Sequence, residues 1–446
     1  MNASRMARAL LGLGLVLALA AATAQADPWT EVDPSGQTVA FWHNHTGPRE
    51  EVLTGIINAF NEENEHGITV DAQYQGNYPE IFNQMLVRLG TPDVPDLVVA
   101  YQNQAATYQL ADGLIDMASL VESPEWGLTE EEIADFFPGF WQQDIFPTFG
   151  GARLGFPPNR SVDVLYYNLD WLEELGFDSP PETVEQFREM ACAAARAPFS
   201  RNTTGVSQGY QLDTGASNFA SWVFAFGGNV YDYESNRYSY DDPAAIEAMT
   251  FLQDMVEEGC VSPVAEQYGD QTDFGAGTLM FTVGSSSGLP FYEEAVAAGT
   301  GHDWSVATVP HTTPEPVTNI QGASVSMPDT GSPERQLATW VFLKYYTSPE
   351  VQAEWATASN YFPVRRSSAA AAADYLEQNP TYAAAFELLQ YGISEPPVPG
   401  YDFVRGRVSE AVARIIGGAD VTSTLEALNA EANDILDEQL EELAGQ

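Results

Sequence analysis

The chain has 446 residues, with 17 Lys plus Arg against 63 Asp plus Glu and a formal net charge of -46. That length is too great for one small core and suggests two or three domains of roughly 150 residues each. Hydrophobic residues make up 44% and aromatics 12%, so the acidity is a surface property and not a sign of disorder. Lys344 is the single lysine, and the chain lacks the basic patches that nucleic acid or an anionic membrane would need.

Residues Met1 to Ala26 read as a secretory signal. Arg5 and Arg8 form its charged start, Leu10 to Ala22 its apolar run, and Ala24-Gln25-Ala26 a small-residue cleavage site before Asp27. The apolar run is shorter than the roughly 20 residues a bilayer span needs. No cysteine follows it to carry a lipid. The expectation is a chain free in the periplasm or an equivalent extracytoplasmic space, soluble and without a lipid anchor.

The pattern then alternates between strand and helix. Gln37 to His43 predicts a strand, and Arg49 to Asn64 a helix with Val52, Leu53, Ile56, Ile57 and Phe60 on one face. Ile68, Val70, Ala72 and Tyr74 alternate as a second strand. Pro79 opens a second helix, and Asp96 to Ala100 predicts a third strand. This order implies an α/β fold with parallel pairing and right-handed crossovers. Ligands in such sheets sit beyond the carboxyl ends of the strands, here His43 to Gly47, Gln75 to Tyr78 and Tyr101 to Asn103.

Further on, Leu154 to Phe156 and Val164 to Asn168 predict strands, and Leu169 to Leu175 a helix. Another helix starts at Glu182 and runs to about Ala195. Tyr231 to Tyr240 reads as a hairpin turning at Glu234-Ser235-Asn236. Asp242-Pro243 opens a helix that Gly259 stops. Leu279 to Val283 is a strand. Ser332 to Thr347, Pro349 to Ala358 and Val421 to about Leu443 are helical, and the Ala369 to Ala373 run is helix-prone. Cys192 and Cys260 are the only cysteines. An oxidising compartment invites one bridge between them, with two buried thiols as the alternative.

Several segments in sequence carry a resemblance. They are Val39-Ala40-Phe41-Trp42-His43 with Thr46-Gly47, Tyr78, Pro95-Asp96-Leu97 and Val164-Leu165-Tyr166-Tyr167-Asn168. Ser285-Ser286-Ser287, Gly322-Ala323-Ser324, Ala353-Glu354-Trp355 and Asn360-Tyr361-Phe362-Pro363 follow. With these the chain resembles the family-1 extracytoplasmic solute-binding proteins of ABC importers. Within them it is most similar to the glycerol-3-phosphate-binding branch and its sugar-binding relatives.

The resemblance implies a periplasmic-binding-protein fold of two lobes, with a hinge and a central ligand cleft. The lobes expected are 27–149 with 319–358, and 150–318 with 359–446. It also implies a monomer that delivers its solute to ABC permease subunits with a cytoplasmic ATPase, without cofactor, metal or catalysis. The solute class is a sugar, glycerol 3-phosphate or a glycerophosphodiester. By matching context the ligand residues are Tyr78, Gln102 where that branch has a glutamate, Ser161, Ser285, Ser286, the Gly322 N–H and Tyr361. Arg405 is the anion contact, or Arg407 two positions on. Asp213 and Trp222 stand where the phosphate branch carries a tryptophan pair. Asp213 suits sugar hydroxyls and not phosphate, while Trp222 offers either a ring face or core packing.

A different class of function competes. Gly284-Ser285-Ser286-Ser287-Gly288 after a strand matches the nucleophile elbow of a serine hydrolase. Ser286 would be the nucleophile, with Asp303 and His311 as partners in the expected order. His43 and His45 share a strand end but lack further ligand spacing, so hydrogen bonding is expected of them and not a metal. No phosphate-binding or dinucleotide glycine loop occurs.

Overall fold

The computed structural model describes residues 27–444, so the expected signal segment lies outside the described residues. The first sheet has the strand order Ser324–Ser326, Leu97–Ala100, Thr38–His43, Thr69–Tyr74. Thr38–His43 runs parallel to both Thr69–Tyr74 and Leu97–Ala100, as the alternating pattern requires. Helix Pro48–Glu63 makes the first crossover because Leu53, Ile56, Ile57 and Phe60 form one buried stripe at the helical repeat. Helix Tyr78–Leu86 starts at a reciprocal cap. The Asn77 side chain accepts from the Glu80 N–H, and Glu80 accepts from the Asn77 N–H. That cap places Tyr78 at the carboxyl edge of the sheet.

The second sheet is built around Ser161–Asn168, whose eight residues are all buried. This strand lies antiparallel to Leu279–Ser285, Trp304–Ala307 and Thr318–Gln321. Gln208–Leu212 and Val261–Pro263 extend the sheet in parallel beyond Leu279–Ser285, and Gly392–Ile393 closes the other edge. Phe187, Trp222, Leu252, Val408 and Leu425 join five helices into one core against it. Cys192 and Cys260 form a disulfide with their Cα atoms 4.6 Å apart. It ties helix Val184–Arg196 to the residue before Val261–Pro263.

The chain passes between the sheets three times. Phe156 bridges Val325, and Ser161 opens the second-sheet strand, so the first passage is 157–160. Gln321 closes a second-sheet strand and Ser324 opens a first-sheet one. The return therefore falls at 322–323, slightly beyond the expected boundary at 319. Phe362 bridges Arg160. From there the chain runs through helices Arg366–Ala371, Ala373–Gln378 and Pro380–Glu387 before Gly392–Ile393 rejoins the second sheet. The Ala-rich run is helical as its propensity suggests, with a break at Ala372. The strand expected at Leu154 to Phe156 survives only as the bridge at Phe156. Regular pairing occurs just before it, between Ile145–Phe146 and Ala152–Arg153.

Candidate functional site

The carboxyl ends of the first sheet carry three tyrosines. The Tyr78 and Tyr101 rings meet edge to face with centroids 4.9 Å apart. The Tyr78 hydroxyl lies beside the Asn44 amide and the Tyr361 hydroxyl. The Tyr101 hydroxyl accepts the Gly322 N–H and stands near Tyr361, Arg405 and Glu395. Burial pushes both phenols well above their ordinary value, so both stay neutral and can donate. Gly322 has φ +101°, and a Cβ there would stand 3.1 Å from the Arg160 Cα. Only glycine lets the chain pass that close and still aim its N–H at Tyr101. Tyr361 follows the left-handed Asn360, and its carbonyl accepts from the Tyr382 hydroxyl at 2.9 Å.

Opposite them lies a carboxylate–guanidinium pair. Glu395 Oε1 accepts from Ser217 Oγ at 2.6 Å and Asn319 Nδ2 at 3.1 Å. Glu395 Oε2 accepts from the Tyr401 hydroxyl at 2.5 Å and Arg405 Nη1 at 2.6 Å. Arg405 Nη2 donates to Ser217 Oγ at 3.0 Å. Burial alone would raise the Glu395 carboxyl. The Arg405 charge and the bonds from Ser217, Tyr401 and Asn319 outweigh it and hold it below the usual value. Gln102 Nε2 reaches the Glu395 carbonyl at 3.4 Å, and its Oε1 is buried without a partner.

Two more acids border this pair. Burial raises Asp163 to about 7, against hydrogen bonds from Ser221 at 2.6 Å and Gln321 at 3.3 Å. Burial also raises Asp402 to about 6, although Arg405 pulls it down. Asn103 Nδ2 donates to Asp402 at 2.7 Å, a bond between the end of the first sheet and a helix packed on the second. Arg49 makes a similar link. It donates to the Ser287 carbonyl at 2.7 Å and the Ser359 carbonyl at 3.0 Å, with its guanidinium 4.7 Å from the Tyr361 ring centroid. Ser285 Oγ bonds Ser161 Oγ and Ser287 Oγ, each at 2.9 Å.

Tyr78, Gln102, Gly322, Tyr361 and Arg405 thus meet at one place, joined through Arg49 and Ser287 to Ser285 and Ser161. Arg407 faces away and pairs with Glu410 and Glu431, so of the two only Arg405 lies beside these groups. Asp213 is exposed and accepts from the Gly215 N–H at 2.7 Å; it is near enough to Asp163 to raise it. Trp222 does not reach the site. It is fully buried in the core, and its indole N–H donates to the Tyr210 hydroxyl at 3.0 Å. Ser286 is likewise fully buried, and its Oγ accepts the Val162 N–H at 3.1 Å. Both are corrections to the expected ligand set. They arise because core aromatics and loop-locking hydroxyls carry no signal that separates them from contact residues.

The hydrolase reading loses its nucleophile on the same ground. The Ser286 oxygen is committed to the backbone, the His311 ring bonds Thr313, and Asp303 borders Asp170. Sequence reasoning missed Asn44, Arg49, Tyr101, Asp163, Ser217, Asn319 and Glu395. The strand ends His43 to Gly47 and Tyr101 to Asn103 bring Asn44 and Tyr101 within reach of that argument. A single glutamate among 63 acids is not within its reach. A separate groove of about 670 Å³ opens beside helix Val184–Arg196, lined by Val184, Phe226, Phe251 and several acids. It holds none of the convergent hydroxyls and amides.

Residues 55–384 match the family model for the bacterial extracellular solute-binding proteins. The chain belongs to that family. The sn-glycerol-3-phosphate-binding periplasmic protein UgpB of Escherichia coli strain K12 is 24% identical over 374 residues, covering 81% of this chain and 82% of that protein. UgpB of Shigella dysenteriae gives the same figures. The solved structure of UgpB from Mycobacterium tuberculosis in complex with glycerophosphocholine has a TM-score of 0.75 at 22% identity, covering 90% of this chain and 99% of that one. The cyclic alpha-maltosyl-1,6-maltose binding protein from Arthrobacter globiformis has a TM-score of 0.75 at 19% identity over the same shares. These likenesses show the two-lobe fold expected from the motifs. No helix of the described residues is long and apolar enough to cross a membrane. The site of this solute-binding protein is rich in hydroxyls and amides.

Proposed function

We propose that this solute-binding protein is the extracytoplasmic receptor of an ABC importer, and that its solute is small, rich in hydroxyls and free of net negative charge. The observation that carries the charge assignment is the Glu395–Arg405 pair. Arg405 already holds a carboxylate at 2.6 Å, Arg49 is spent on the Ser287 and Ser359 carbonyls, and Asp163, Asp213 and Asp402 stand close by. A dianionic phosphate would enter a region already balanced toward acid. Neutral hydroxyls find Tyr78, Tyr101 and Tyr361 as donors and the Gln102 oxygen as an acceptor.

The names of the relatives span sugars, glycerol 3-phosphate and glycerophosphocholine. A neutral saccharide or a zwitterionic phosphodiester meets the charge condition, and glycerol 3-phosphate does not. The receptor works as a monomer whose lobes swing on the segments 157–160, 322–323 and 360–391. Solute bridging the lobes shifts the open–closed equilibrium, and the closed form is what the permease subunits read. Calorimetric titration with maltose, glycerophosphocholine and sn-glycerol 3-phosphate tests the proposal. One of the first two should bind at least tenfold tighter than the third. Tighter binding of sn-glycerol 3-phosphate would overturn it.

A further inference from the structure

We propose that Glu395 is the specificity-determining residue of the site, and that by occupying Arg405 it makes the cleft accept hydroxyls and refuse a phosphate dianion. The inference rests on the functional reading above and names the group that produces its selectivity. A cleft arginine with a free guanidinium fork takes a phosphate through two parallel charge-assisted bonds. Here Nη1 is given to Glu395 and Nη2 to Ser217.

The carboxylate is held from three elements. Ser217 comes from helix Ala216–Ala225 and Asn319 from strand Thr318–Gln321, while Tyr401 and Arg405 come from helix Tyr401–Ile416. Four donors fill its two oxygens. Pro396, Pro397 and Pro399 follow it directly and restrict the backbone that carries it. Glu395 is therefore a fixed part of the wall and not a side chain that a ligand would displace cheaply.

A second observation concerns polarity. Gln102 and Asn319 are 5% and 0% exposed. Both turn an amide nitrogen toward Glu395, one to its carbonyl and one to its carboxylate. With their donors spent there, Gln102 Oε1 and Asn319 Oδ1 are left buried without partners. A buried acceptor left unpaired is costly, and an incoming O–H group relieves it. A phosphate oxygen, being an acceptor, does not. The Glu395 side chain thus acts twice, by neutralising the arginine and by holding the Asn319 amide so that its oxygen is left for a hydroxyl donor.

The test is calorimetric titration of the wild-type chain and Glu395→Gln with inorganic phosphate and with the solute that binds the wild type. Glu395→Gln should gain phosphate binding by at least tenfold and lose about tenfold for the hydroxyl-rich solute. A cooperatively folded Glu395→Gln that still refuses phosphate overturns the inference. Ser217→Ala gives an independent reading if Glu395→Gln melts early. It frees Nη2 but keeps the carboxylate, and it should go on excluding phosphate. Phosphate binding by Ser217→Ala would mean that Ser217, and not Glu395, closes the fork to phosphate, and would overturn the inference. Should the wild type itself bind phosphate, the functional reading fails. Refusal by both wild type and Glu395→Gln sinks the selector role alone.

Discussion

Asp163→Asn offers a prediction that needs no ligand. The Asp163 side chain sits in the floor of the site on the all-buried strand Ser161–Asn168. Burial moves its carboxyl from 3.8 to about 7. One pKa unit is worth about 1.4 kcal/mol, so the full shift is on the order of 4 kcal/mol. The folded chain binds this proton more readily than the unfolded chain. The group's contribution is therefore fully present below about pH 4 and is lost as the pH rises through about 7. Ser221 and Gln321 both bond Oδ2, and an asparagine oxygen placed there keeps both bonds without the charge. Urea unfolding of wild type and Asp163→Asn from about pH 5 to pH 8 reads the effect. Relative to wild type, the variant should gain about 2–3 kcal/mol across that range. Parallel curves would show that Asp163 titrates normally and would refute the reasoning.

Further outcomes follow from the same geometry. Trp222→Ala should cost about 3–5 kcal/mol of stability by opening a cavity in the core, while calorimetry finds solute affinity within about twofold of the wild type. Cys260→Ser removes a bridge across a sequence separation of 68 and should lower unfolding free energy by about 2–4 kcal/mol in urea melts. Arg49→Ala deletes a charge-assisted bond to the Ser287 carbonyl across the two lobes. At about 1.5–3 kcal/mol for such a bond, solute binding should weaken about tenfold or more, with a small change in melting temperature. Ser286→Ala should leave the Val162 N–H unpaired and cost about 1–2 kcal/mol, with no hydrolytic activity to lose against an activated ester.

The strand–helix alternation before residue 101 was legible because each element there shows a single apolar face. Helix Pro48–Glu63 buries the stripe that its periodicity draws. Helix Gln102–Gln109 was not legible, since Gln102, Asn103 and Gln104 are buried along with its alanines and no apolar stripe marks it. The strands Thr318–Gln321 and Ser324–Ser326 were hidden for a related reason. Thr318, Asn319 and Ser324 are buried polar residues whose side chains bond Asp163, Glu395 and Asp144, so they read as loop. For the site, motif resemblance located Tyr78, Tyr361, Arg405 and Gln102. It could not locate Glu395, which supplies beside Gln102 the negative charge that Gln102 itself lacks. Trp222 shows the converse failure. An aromatic near a ligand loop looks the same in sequence whether it faces the cleft or the core, and only packing decides.

Hydrogen–deuterium exchange with and without bound solute tests the central claim most directly. Closure over a solute between the lobes predicts simultaneous protection at 43–49, 78–82, 101–104, 285–289, 359–362 and 395–405. Protection confined to one sheet's loops, or centred on the groove beside helix Val184–Arg196, would contradict it.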